Sequence, residues 1–217
     1  MRHALWLAGA LLALAAHAAE PRKLQWEDLA VRLSAADNPF AQLSMDSLAA
    51  LSRVAATRDR QARGEPVNAQ QLADERAASR QLGDAGVDVA ALLAQRDAVA
   101  ERKRRAARSV NVALDGQTVR IPGYVLPLEF AGTKVTEFLL VPWFGACIHT
   151  PPPDANQIVH VKLDKPAEIE RAFASVWVTG RMAARPLKKS VYVGDGASDI
   201  DIGYALQASQ VEAYRQP

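Results

Sequence analysis

The chain has 217 residues, with 26 Lys and Arg against 24 Asp and Glu and a formal net charge of +2. That balance leaves no electrostatic footprint for nucleic acid, and no strand shows a basic, aromatic-studded face, so nucleic-acid binding is excluded as a function class. A single cysteine excludes an intramolecular disulfide, and stability has to come from a packed core.

The first element is a targeting signal. Arg2 and His3 open the chain, an apolar run follows from Ala4 to Ala16, and Ala16 and Ala18 flank His17 in an A-x-A arrangement. This is the plan of a secretory signal peptide over residues 1–18, cleaved after Ala18, and the run is too short and Ala-rich for a good membrane anchor. No cysteine near the junction offers a lipid acceptor. The mature protein is expected to be periplasmic, without a lipid anchor or a stable membrane span.

Residues 19–109 read as a helical arm or docking region. LQWEDLAVRL places Leu24, Trp26, Leu29, Val31 and Leu33 near one helical face before NPF breaks the run. Ser44 can cap a helix with Leu48, Leu51 and Val54 at three-residue spacing. Asn68 with Gln71 three positions on predicts a capping box, and Gly83 and Gly86 end that helix. The last helix begins at Asp88 and finishes in the basic cluster 102–108, charges that complement the helix macrodipole.

Residues 110–217 change period. QTVRIPGYVLPL, TEFLLVP and NQIVHVKL read as three strands, with a bend or bulge expected at Pro122–Gly123. DKPAEIERAFAS predicts a helix with Pro166 in its first turn and Ile169 and Phe173 on one side. SVWVTGRM is the fourth strand, and YALQASQVEAY the fifth, after the turn-rich GDGASD. Three strands, a helix, then two strands is the order of an OB-type barrel, with Gly123 and Gly180 suited to its tight bends. The fold class is therefore α+β: an N-terminal helical segment followed by a small five-stranded OB-like β-barrel with one helix between strands 3 and 4.

The connection between the second and third strands, PWFGACIHTPPPDANQ, gathers the scarce ligand types. Removing the signal peptide removes His3 and His17, so Cys147, His149 and His160 are all the Cys and His of the mature chain. In an extended stretch alternate residues project together, and a thiolate beside an imidazole suits zinc or copper as half of a tetrahedral set. His160 is a third candidate ligand, and Asp154 could join; if Val159 and Val161 are core, His160 faces outward. A metal-free alternative treats Trp143, Phe144, Pro151, Pro152, Pro153, Asn156 and Gln157 as a rigid, aromatic-rimmed interaction surface. An enzymatic reading pairs Cys147 with His149 or His160 as base, oriented by Asn156. Neighbours two apart on a strand hydrogen-bond awkwardly, and TPPP forbids a helix start after the thiol, so a binding or accessory protein is favoured over an enzyme.

VRIPGYVLPLE, TEFLLVPWFGACIHTPPPDANQIV and SVWVTGRM, with LQWEDL and NPF upstream, resemble a family of bacterial exported proteins known as domain of unknown function 3299. The family motif falls on Cys147, His149, prolines 151 to 153, Asn156 and Gln157. The resemblance implies a context rather than an activity: envelope proteins, often encoded beside an ABC transporter with a large-loop permease and sometimes in zinc-responsive clusters. The partner expected from it is an envelope transporter or another periplasmic protein, and the cofactor, where there is one, zinc or copper.

Overall fold

The computed structural model describes residues 20–146, 152–169, 171–193 and 196–214; the expected signal peptide lies outside them. A two-residue strand β1 (Arg22–Lys23) leads into a single helical turn α1 (Trp26–Leu29), followed by three helices, α2 (Met45–Ala62), α3 (Ala69–Asp84) and α4 (Val89–Arg108). Their starts are capped as the sequence predicts. The Ser44 hydroxyl accepts from the Ser47 N–H at 3.1 Å, Asn68 and Gln71 close a reciprocal capping box at 2.8 and 2.9 Å, and Asp88 accepts from the Ala91 N–H at 2.9 Å. Ala50, Leu51, Val54, Ala78, Leu82 and Leu92 form a small core among the three helices. Arg58–Glu75 and Arg96–Asp59 bridge them at the surface.

The expected helix over residues 24–33 is much shorter in the structure. The Leu24 N–H is bonded to the Arg120 carbonyl at 2.9 Å in extension of β1, and the Leu29 carbonyl accepts from the Tyr204 hydroxyl at 2.7 Å. With that carbonyl engaged, Ala30 turns to an extended conformation and the helix ends.

The strands are β2 (Thr118–Ala131), β3 (Lys134–Val141), β4 (Val159–Ala167), β5 (Ser175–Ala183), β6 (Leu187–Val193), β7 (Gly196–Ile202) and β8 (Tyr204–Ala213). Five of them close a barrel in the order β2–β3–β4–β8–β5 and back to β2, with β4 and β8 parallel and the other pairs antiparallel. This is the OB-like barrel preceded by helices. The long strand β2 makes closure possible: residues 118–124 pair with β5, and residues 124–131 pair with β3. Its irregularities fall at 127–130, not at Pro122–Gly123. Pro122 has no N–H to donate, and it lies between the end of β1 pairing at Arg120 and the start of β3 pairing at Tyr124, where no donor is required. Gly123 and Gly180 serve as points of close approach. A Cβ at Gly123 would come within 2.9 Å of Leu140 and Trp26, and one at Gly180 would collide with the backbone of Gln207 and Ala208.

Two features depart from expectation. Between the third and fourth barrel strands there is no helix among the described residues. β4 instead runs on through Pro166 to Ala167, which pairs with Val135, and the Phe173 N–H donates to the Val125 carbonyl at 2.6 Å. Phe173 is buried at φ 58°. Between the fourth and fifth strands there is a hairpin, β6–β7, where a turn was expected. Val191, Ile200 and Ile202 pack from it onto Leu126, Leu139, Val141 and Ile158, covering one outer face of the barrel with a second core.

Inside the barrel, Val119, Ile121, Phe138, Leu140, Val159, Val161 and Val178 are fully buried. Leu24, Leu29 and Leu114, none of them on a barrel strand, complete that core. Each fully buried leucine contributes about 1.5–3 kcal/mol, so the segment before the helices is part of the barrel's stability. Tyr204 joins the two. Its ring is fully buried, and its hydroxyl accepts from the Asn111 N–H at 2.6 Å while donating to Leu29. Tyr204→Phe leaves both partners without their bond and is expected to cost about 1–3 kcal/mol. Chemical denaturation checks this, and a midpoint equal to that of the wild type would contradict it.

Candidate functional site

The loop between β3 and β4 starts with a tight turn. Gly145 has φ +78°, a conformation that suits glycine, and the Ala146 N–H reaches back to the Trp143 carbonyl at 3.4 Å. Ala146 is fully buried, whereas Trp143 and Phe144 are 45 % and 64 % exposed. The Phe144 ring meets Tyr124 edge-on at 6.2 Å and Phe173 at 5.2 Å, so its exposed edge is held in place. Cys147, His149 and Pro151 lie outside the described residues. The chain resumes at Pro152, which is exposed, and Pro153, which is buried.

The end of the loop turns inward. Residues Ala155–Gln157 form a single 3-10 turn. Asn156, expected on an interaction surface, is 3 % exposed and donates its amide to the carbonyls of Ala106 and Ser109 at 2.8 and 3.1 Å. It satisfies two carbonyls at the C-terminal end of α4. Gln157, half-buried, donates to the Trp26 carbonyl at 3.1 Å. These two residues fasten the loop to the helical segment, while Trp143, Phe144 and Pro152 stay on the outside. A cleft of about 330 Å³ opens beside the prolines, with Arg104 and Arg108 of α4 facing Asp154, Asp199 and Asp201.

His160 faces outward from β4 between fully buried Val159 and Val161, as alternation requires. It is half-buried and does not stand alone. Its Nε2 is 3.0 Å from Glu137 Oε2 and 3.1 Å from Lys189 Nζ, and Lys189 donates to the same carboxylate oxygen at 2.6 Å. Lys162 lies 3.4 Å from the other Glu137 oxygen, and Glu129 lies 3.6 Å from Lys189. Burial by itself would raise the Glu137 pKa, but the hydrogen bonds from Lys189 and His160 overrule it and hold the carboxyl at about 2. Burial, reinforced by the Lys189 charge, pushes His160 below the usual histidine value against the pull of Glu137. The consistent state is an ionised Glu137 accepting from protonated Lys189 and from the Nε2–H of a neutral His160. A metal ion at that nitrogen would have to displace the Lys189 ammonium.

Sequence reasoning missed Glu137 and Lys189. Glu137 stands on the outer face of β3, diagonal to His160, and Lys189 arrives from the hairpin. No local spacing joins the three; only an acid at an outward position of TEFLLV hinted at a cross-strand pair. Among the described residues no group of three or more His, Cys, Asp or Glu side chains is placed to hold a metal ion. Among them also, no helix is long and apolar enough to cross a membrane.

Comparison with known proteins gives a family. The model of the family described as "Protein of unknown function (DUF3299)" matches residues 26–213. No curated protein matches the chain. Among solved structures, it is similar to a DUF3299 family protein from Pseudomonas aeruginosa PAO1. The identity is 27%, over 91% of this chain and 99% of that one, with a TM-score of 0.48.

The charge network makes stability depend on acid. Glu137 titrates below its usual 4.5 in the folded chain, so its contribution is present above that pH and is lost as pH falls toward 2. His160 also titrates below its usual 6.5. The unfolded chain therefore takes up that proton first, and stability starts to decline just below pH 6.5. Urea midpoints measured from pH 8 to pH 3 should fall in two stages. His160→Gln should flatten the upper stage and Glu137→Gln the lower, and an unchanged profile in either variant would remove that residue from the account.

Proposed function

The chain belongs to the DUF3299 family of proteins of unknown function, and on that premise we propose that it is an exported accessory protein of an envelope ABC-type transport system, docking through the loop at residues 143–153. The observation that carries this reading is exposure next to anchorage. Trp143 and Phe144 are exposed, while Ala146 and Pro153, on either side of the loop's centre, are buried. Aromatic side chains on a loop already restricted by a glycine turn and three prolines lose little freedom on docking, and they are the residue types that anchor interfaces. Export rests on the N-terminal pattern of residues 1–18, and the transporter partner on the setting in which proteins of this type occur.

A second reading is favoured by Cys147 and His149, two residues apart inside that loop. The loop then takes zinc or copper through the thiolate and imidazole, with the remaining positions filled from the partner or by water. A metal-bound thiolate would also account for an unpaired cysteine in an oxidising compartment.

Both readings can be tested in one set of variants. A photo-crosslinking residue placed at Phe144 in cells should capture a component of an envelope transporter, and Trp143→Ser should reduce that capture with folding unchanged. Capture of no transport component, or capture indifferent to Trp143, sinks the docking reading. Mass spectrometry of the purified mature chain tests the metal: near-stoichiometric zinc or copper is expected in the wild type and little in Cys147→Ser or His149→Ala. Equal metal in all three ends that reading.

A further inference from the structure

The hairpin β6–β7 covers only part of the barrel's outer face. Beside it lie outward positions of β4, β8 and β5, and their register brings a set of cations together. His160 stands opposite Ala205, which stands opposite Ala183; one step on, Lys162 stands opposite Gln207, which stands opposite Arg181. Two alanines therefore make a low floor, and long side chains make the walls. The result is a cleft of about 400 Å³, closed on its further sides by Arg185 and by the turn at Asp115–Gly116. A cleft of this size suits a small ligand.

Its charge is one-sided. Lys162, Arg181 and Arg185 line it against one lining carboxylate, Asp115, while Asp164 at its rim is engaged by the Gln207 amide at 2.6 Å. Asp115 accepts the Ala184 N–H at 3.0 Å, a bond that turns part of its charge toward the backbone. Lys162 is partly balanced by Glu137 at 3.4 Å. Among the described residues, neither Arg181 nor Arg185 has a carboxylate within ion-pair range. The Arg181 guanidinium is set over Gly116, where a Cβ would sit 3.5 Å from its Nη2. Other described arginines, Arg53, Arg76 and Arg80 among them, also stand without an acid in ion-pair range, so it is the gathering of Arg181, Arg185 and Lys162 around one floor that sets this place apart. Two unmatched guanidinium forks and an ammonium around a shallow floor exceed what one carboxylate ligand would balance, and they match a phosphate group, which takes charge-assisted bonds from several directions.

We propose that this cleft on the β4–β8–β5 face binds a phosphate group, with Arg181 and Arg185 as its principal ligands and Lys162 as the third. The group is either free phosphate or the headgroup phosphate of an anionic lipid. The cleft lining shares no residue with the loop at residues 143–153, and this proposal does not rest on the docking reading.

Calorimetry with inorganic phosphate and flotation with phosphatidylglycerol vesicles, set against phosphatidylcholine alone, read the two sources separately. The full mature chain should bind at least one of the probes saturably. Arg181→Gln and Arg185→Gln should each weaken binding by about tenfold or more, the scale of a lost charge-assisted bond to a phosphate. Their thermal midpoints should match the wild type, both side chains being exposed. Arg104→Gln, a cation of α4 outside the cleft, should bind as the wild type does. Phosphate binding without vesicle binding assigns the free anion; binding to phosphatidylglycerol alone assigns the lipid. Binding of neither probe, equal binding by the Arg181 and Arg185 variants, or an equal loss in Arg104→Gln overturns the proposal.

Discussion

The Tyr204 hydroxyl takes the Asn111 amide proton and gives its own to the Leu29 carbonyl, from a ring that is wholly inside the protein. Groups desolvated this way have to be paired, because each one left open costs as much as a sizeable part of a small protein's stability. Three segments far apart in sequence are therefore set by one oxygen: the end of α1, the entry to the barrel and the start of β8. The neighbouring residue reinforces the joint. Gly203 donates to the Ala155 carbonyl at 2.6 Å, and its missing side chain lets that turn approach, since a Cβ would lie 2.9 Å from Asn156. Asn156 in turn closes the last carbonyls of α4. Helices and barrel thus share a polar seam as well as apolar contacts, and the loop at residues 143–153 departs from one end of it.

Where local physics prevailed, the sequence could be read directly. The barrel strands announce themselves by alternation, as in β4, where Val159, Val161 and Leu163 are buried around half-buried His160 and exposed Lys162. Ser44, Asn68 and Asp88 cap helices because their side chains reach amides only three residues away. The failures are all long-range. LQWEDLAVRL has a helical face, but the Tyr204 hydroxyl removes the carbonyl that a longer helix would use. DKPAEIERAF has one too, but Ala167 and Phe173 are claimed by β3 and β2. The hairpin was illegible for a different reason. Its apolar residues Val191, Ile200 and Ile202 answer to the outside of a barrel that exists only once folded.

The site follows the same division. The outward direction of His160 could be read from its neighbours, but not what covers that side. Its partners come from 23 and 29 residues away on other elements, and composition carries no trace of such a meeting. Asn156 and Gln157 show the opposite limit. A polar side chain near a loop is equally suited to water and to the open carbonyls of a helix end, and only the packing of α4 against the 3-10 turn settles which it serves.

The hairpin also determines how charge is distributed over the barrel. By covering the β2–β3 side with apolar residues, it brings Lys189 against Glu137 and His160 at the margin of the covered area. Glu137 then answers Lys189 and Lys162 together, while Glu129 is turned to Lys189, Asp164 holds the Gln207 amide and Asp115 the Ala184 amide. Arg181 and Arg185 are placed beyond this margin by the register of β5 against β8. Their mutual repulsion is small in water and would grow if the cleft were covered without a counter-charge. An apolar cover is disfavoured for that reason, and an anion is the occupant that the arrangement of strand and hairpin leaves room for.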